Sequence, residues 1–179
     1  MKKKFLVPLF AVAAAVVTLA SCMKSNQSTA CTNGLTLTQD KAAIDSFLRN
    51  NGQSAQYQFD DQASAYYAIL NPGSGANKPT ADSLVSFHFE TRLLNGTLVD
   101  SGSTQAGTPA YKLSQYASYG RPLGVQYALA MITKGGSVSL IVPSSVAYGC
   151  NTVTFANPIP ANSQLIYNFQ LLDMAPSSY

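Results

Sequence analysis

The stretch V-S-L-I-V-P-S-S-V-A-Y-G, Val138 to Gly149, limits what this chain can become more than any other. Val138, Leu140 and Val142 alternate with Ser139 and Ile141, the period-two pattern of a strand with one buried face. Pro143 has no backbone N–H and ends the ladder. The Ser144-Ser145 pair then opens a turn that closes on Tyr148-Gly149. A tyrosine delivered at the exit of a buried strand can hold one hydroxyl over an apolar pocket. The plainer alternative is that Tyr148 covers the edge of the core.

Other segments share the same alternation. Leu84 to Leu94 places Val85, Phe87 and Phe89 on one face and Ser86, His88 and Glu90 on the other, so His88 reads as an outer-face polar partner. Asn95-Gly96 is a hairpin signal, and Leu98 to Ser101 returns as a strand ending near the carboxylate of Asp100. Ser64 to Leu70, Pro109 to Leu113 and Gln164 to Met174 also read as strands. Gly102 to Thr108 and Asn151 to Ile159 read as loops, and Ser114 to Pro122 as irregular. Between the strands, Val125, Ala128, Leu129 and Ile132 fall at helical spacing in Gly124 to Ile132, a short helix closed by Lys134-Gly135-Gly136. Strands, one short helix and two more strands argue for an α+β fold, an antiparallel β-sheet wrapped around one short α-helix.

Upstream, Thr38 is the expected N-cap of a helix running to Asn50-Asn51-Gly52, with Asp40 in the first turn and Ala42, Ile44, Phe47 and Leu48 on one stripe. This N-terminal helical extension could pack on the main domain or on a second copy of itself. A dimer has no heptad run to support it.

The first residues read as targeting. Lys2 to Lys4 form a basic region, and Phe5 to Leu19 is an apolar run too short for a convincing membrane span. It ends in Leu19-Ala20-Ser21-Cys22, a small-residue cleavage site before a thiol that could carry a lipid; the alternative is an ordinary signal peptide. Acyl chains at roughly 0.8 kcal/mol per buried CH₂ would anchor Cys22 to a membrane. Residues 1–21 are thus expected to be a lipoprotein signal, 22–79 a tether and extension with one helix, 80–175 the main domain and 176–179 a tail. An exported chain meets oxidising conditions in which Cys31 and Cys150 can pair or stay as thiols.

The charge balance limits partners. The chain carries 11 Lys and Arg against 8 Asp and Glu. Without the three leading lysines the balance is even, so nothing electrostatic drives nucleic-acid binding. With one histidine, His88, a metal site built on His clusters is excluded.

Several pieces in order resemble the FKBP-type peptidyl-prolyl cis-trans isomerases: L-L-N-G-T-L-V-D-S (Leu93 to Ser101), P-x-Y-x-L from Pro109, the helix with its K-G-G turn, V-P-S-S-V-A-Y-G, and I-P-A-N-S-Q-L-I-Y-N-F-Q-L-L (Ile159 to Leu172). The N-terminal helix and lipobox resemble the exported lipoprotein form of that family. The resemblance implies that Asp100 is the pocket aspartate and that Tyr148 is the tyrosine whose hydroxyl donates to a substrate carbonyl. It also implies a substrate-binding wall of Phe89, Val99, Val125, Ile159 and Tyr167. Phe89 stands where the family usually has Tyr, Val99 where Phe is usual, and Val125 where the floor is most often Trp. Tyr167 replaces a buried Phe, and Arg121-Pro122 replaces two β-branched residues.

The implied activity is rotation of Xaa–Pro bonds in exported proteins within the cell envelope, assisting folding, with no cofactor. Valine in place of the floor Trp implies an enlarged bowl and a weaker or altered isomerase. The alternative is a non-catalytic peptide-binding or chaperone module on the same frame. Either would act on proline-containing polypeptides.

Overall fold

The computed structural model describes residues 33–104, 111–119, 121, 122 and 124–175. Its first element is α1 (Leu37–Asn50). The cap is Thr36, two residues before the expected Thr38. Thr36 Oγ1 accepts from the Gln39 N–H while Gln39 Oε1 accepts from the Thr36 N–H, a reciprocal pair that satisfies two orphan donors. The helix ends at Asn51 and Gly52, the latter at φ +66°.

The strands are β1 (Gln58–Asp60), β2 (Ala65–Asn71), β3 (Leu84–Leu93), β4 (Leu98–Ser103) and β5 (Tyr111–Lys112), then, beyond helix α2 (Gly124–Leu129), β6 (Ser137–Val142), β7 (Val153–Thr154), β8 (Pro158–Ile159) and β9 (Leu165–Ala175). Seven form one antiparallel sheet in the order β1-β2-β6-β9-β3-β4, with β5 also on β3. Strands β7 and β8 make a separate hairpin inside the segment expected to be a loop. Leu113–Tyr119 is a 3₁₀ helix that takes in most of Ser114 to Pro122, the stretch expected to be irregular. The Asn95-Gly96 turn joins β3 to β4 as expected, with Gly96 at φ +87°. Strand β4 runs past Asp100 to Ser103, and helix α2 stops at Leu129, short of Ile132.

One expectation fails for a clear reason. Strand β6 has no wet face: Ser139 is 1% and Ile141 0% exposed. One face of the sheet packs on α2 through Val125, Ala128 and Leu129, and on Ile132 just beyond it. The other is covered by α1, whose Ile44 and Leu48 meet Tyr66 and Ile141. The helix's apolar stripe is therefore taken up by its own sheet, although Ala42 stays exposed. Residues 65–71, read as part of an extension, are an inner strand between β1 and β6. The expected boundary at residue 80 is thus no break in the sheet. The expected signal, Cys22, Cys31 and the expected tail 176–179 lie outside the described residues. Cys150 is disulfide-bonded.

Candidate functional site

The β3–β4 register sets the site. Thr91 pairs with Asp100 but Arg92 pairs with Leu98, so Val99 is an extra residue in β4. Such a bulge lets two successive side chains depart from strict alternation. Val99 is fully buried in the main core while Asp100 is partly buried beside it. Cross-strand pairing places Asp100, Thr91 and Tyr167 in one row of the sheet and Gly102, Phe89 and Phe169 in the next. Gly102 has to be small, because a Cβ there would stand 2.7 Å from Phe89 Cε1.

Tyr148 arrives from the other side, after the 3₁₀ turn Ser144–Val146. Its hydroxyl is 3.5 Å from that of Tyr167, and its ring packs on Phe155 of the β7–β8 hairpin at 5.7 Å between centroids. Burial raises the Tyr148 pKa, against the opposing effects of the Tyr167 hydroxyl and the Arg121 guanidinium. The hydroxyl thus keeps its proton as a donor. Burial likewise raises Tyr167 well above the usual phenol value and pushes Tyr116 up to about 12.

The turn that delivers Tyr148 is held by a residue from α1. Asp40 is 0% exposed. Its Oδ1 accepts from Ser144 Oγ at 2.8 Å and Gln164 Nε2 at 2.6 Å, and its Oδ2 from the Ser145 N–H at 2.8 Å. Burial by itself would raise its pKa, but the bonds from Gln164, Ser145 and Ser144 together hold it below the ordinary carboxylate value. Sequence reasoning gave Asp40 a helix-dipole role and missed this one. Its position four residues before buried Ile44, on the same helical face, was the available signal.

The largest departure from expectation is Arg121. Its Nη2 donates to Asp100 Oδ2 in an ion pair whose side chains are 13% and 12% exposed. The guanidinium carbon lies 5.0 Å from the centre of the Phe89 ring and 4.3 Å from that of Phe155. Burial disfavours its charge, but the bond to Asp100 together with the fields of Tyr116, Asp100 and Tyr167 raises its pKa. A hollow of about 280 Å³ beside it is lined by Arg121, Phe87, Phe89, Tyr111, Tyr116 and the Gly102–Thr104 backbone edge.

Asp100, Tyr148, Tyr167 and Phe89 thus converge around Arg121. The remaining expected wall residues do not line an open bowl. Val99 and Val125 are 0% and Ile159 1% exposed, as core members. The small side chain at 125 is closed over by packing within the core. Phe89 alone of the seven expected site residues borders the hollow. Arg121, Tyr116 and Phe155 were missed as site residues; a lone arginine before a proline in a charge-poor apolar segment was the visible hint. His88 lies near Asn168 and Gln170 along a shallow groove outside this cluster.

Comparisons with known proteins converge on one group. A family model described as FKBP-type peptidyl-prolyl cis-trans isomerase matches residues 75–172. The FKBP-type peptidyl-prolyl cis-trans isomerase FkpA of Buchnera aphidicola is 36% identical over 108 residues, 60% of this chain and 40% of that protein. The outer membrane protein MIP of Legionella longbeachae is 32% identical over 109 residues, 60% of this chain and 43% of that protein. This chain thus spans less than half the length of these curated relatives. Among solved structures, FkpA from Escherichia coli superposes with TM-score 0.57 at 23% identity, covering 79% of this chain and 62% of that one. The peptidyl-prolyl cis-trans isomerase of Pseudomonas syringae gives 0.56 at 20%, covering 79% and 97%. These structures share the fold.

Proposed function

The chain belongs to the FKBP-type peptidyl-prolyl cis-trans isomerase family, and from that premise we propose that it rotates Xaa–Pro bonds in polypeptides of the cell envelope. The observation that carries this reading is the convergence of Tyr148 and Asp100, 48 positions apart in the chain, on one aromatic-walled cluster. Rotation about a peptide bond is opposed by a barrier of about 18–20 kcal/mol, because twisting breaks amide conjugation. The twisted amide has a less polar carbonyl than the planar one, so a water-poor aromatic surface is kinder to it. Phe89 and Phe155 supply that surface. The Tyr148 hydroxyl, kept protonated by burial, orients the carbonyl, and Asp100 fixes the charged neighbour that shapes the local field.

The test is exchange spectroscopy on a Leu–Pro tetrapeptide. Tyr148→Phe removes one hydrogen bond, roughly 1 kcal/mol, and should slow turnover about fivefold with the fold intact. Turnover unaffected by Tyr148→Phe would count against the assignment.

A second reading is a binding or chaperone module without catalysis. The burial of Val99, Val125 and Ile159 favours it, since these positions offer a prolyl ring no open wall. Suppression of aggregation by a chain that leaves peptide exchange unchanged would select it.

We also propose that the chain is exported as a lipoprotein anchored through Cys22, on the strength of Lys2–Lys4, the apolar run and the Leu19–Cys22 motif. One relative bears the name outer membrane protein. Labelled palmitate should enter the wild type and not Cys22→Ser.

A further inference from the structure

Arg121 sits where an apolar pocket has least use for a charge. Three observations define its state. Its guanidinium lies against the rings of Phe89 and Phe155, the faces a pyrrolidine would need. Its Nη2 is bound to Asp100. Its Nη1 is buried and has no hydrogen-bond partner among the described residues.

An unpaired buried donor is expensive, and more so on a charged group. A guanidinium is a planar fork with donors on both prongs, matched by carboxylates and carbonyls. Here one prong is used and the other is idle. Among the described residues the charged neighbour acting on Arg121 is Asp100, and the phenols Tyr116, Tyr148 and Tyr167 also act on it. The hollow next to it is edged by Ser103 and Thr104, and among the described residues Arg121 is the charged side chain that lines it. For a prolyl ring to reach Phe89 and Phe155, the guanidinium has to leave the space between them. It can do so by pivoting about its bond to Asp100, which keeps that ion pair and turns Nη1 outward. A side chain tethered there reaches only groups next to the proline.

We propose that Arg121 is the specificity-determining residue of this site, filling the ring space until displaced and favouring Xaa–Pro peptides that carry a carboxylate beside the proline. This rests on the site being a prolyl-peptide site. A glutamate next to the ring fills the idle prong with an anion. A leucine leaves it to a backbone carbonyl or to nothing. A lysine sets a like charge against a guanidinium that cannot deprotonate.

The experiment compares Glu–Pro, Leu–Pro and Lys–Pro tetrapeptides by calorimetric binding and by exchange spectroscopy, with wild type, Arg121→Leu and Arg121→Lys. The wild type should rank Glu above Leu above Lys, with Glu roughly tenfold over Lys. Arg121→Leu should flatten the series to within about twofold, and Arg121→Lys, which keeps the charge, should retain the order. Should Arg121→Leu fail to fold, about 1 M salt should shrink the wild-type Glu-to-Lys ratio. A flat wild-type series, a series that survives Arg121→Leu, or a ratio indifferent to salt overturns the proposal. Ordered binding without turnover upholds it and removes the isomerase reading. Turnover with a flat series removes this proposal alone, and no binding to any peptide removes both.

Discussion

Replacing Asp40 with asparagine tests whether the N-terminal helix is part of the working site. The carboxylate holds Ser144, Ser145 and Gln164 at 2.6–2.8 Å in a fully buried position. Asparagine keeps one acceptor and turns an amide N–H₂ toward the Ser145 N–H, leaving two donors facing each other. With charge-assisted bonds at about 1.5–3 kcal/mol each, and non-additive, the expected loss is about 2–4 kcal/mol. For a chain of this size that lowers the melting temperature by roughly 5–15 °C. Because the same bonds fix the turn that delivers Tyr148, peptide turnover should fall about tenfold even well below melting. Ile44→Ala is the control. It opens a cavity on the same helix at a similar cost of about 2–4 kcal/mol, without touching those bonds. Equal loss of turnover in both variants, measured where both are fully folded, would refute the positioning argument. The pH dependence gives a second readout. Asp40 is depressed in the folded state, so its contribution is complete above the ordinary value of 3.8. It is lost as pH falls through the lower folded value, so the melting difference between wild type and Asp40→Asn should narrow at acid pH.

Other outcomes follow from the same geometry. Burial raises the Tyr148 pKa above 10.0, so the rate should show no loss assignable to that hydroxyl up to pH 10; a fall below that pH, absent in Tyr148→Phe, would contradict it. The stability tied to its neutral form should decline as pH rises past the unfolded value. Gly102→Ala would press a methyl to 2.7 Å from Phe89 Cε1, so the ring must swing. Melting should show a loss of about 1–3 kcal/mol and titration a weaker peptide affinity. Thr36→Ala should cost about 1 kcal/mol through the lost cap, read as a shift of about 2–4 °C that Thr36→Ser largely avoids.

Much of the frame was legible because it follows local rules. Period-two alternation located β3, β6 and β9, and Asn95-Gly96 located their hairpin neighbour β4. Helical spacing found both helices within a few residues. What escaped depends on contacts between distant parts of the chain. Ile141 on the second face of β6 is buried only because α1 lies there, and alternation along one strand cannot show that. Thr36 and Thr38 both suit a cap; Gln39, three residues after the first, decided between them. The site was legible as a list of residues and not as a volume. Asp100, Tyr148, Tyr167 and Phe89 do meet, but Val99, Val125 and Ile159 are core. Arg121 fills the centre by pairing with an aspartate 21 positions earlier, a partnership with no local signature.

The covering of the sheet by α1 bears on how this protein can be cut. A fragment begun at residue 75, where the family model starts to match, would lack the helix and β2 together. Strand β6 would become an outer strand with open backbone groups along its length. Ile141 and Ile166 would be stripped of their cover. A long apolar strand bared at a sheet's border invites pairing with other molecules, so such a truncation should precipitate where the longer chain stays in solution.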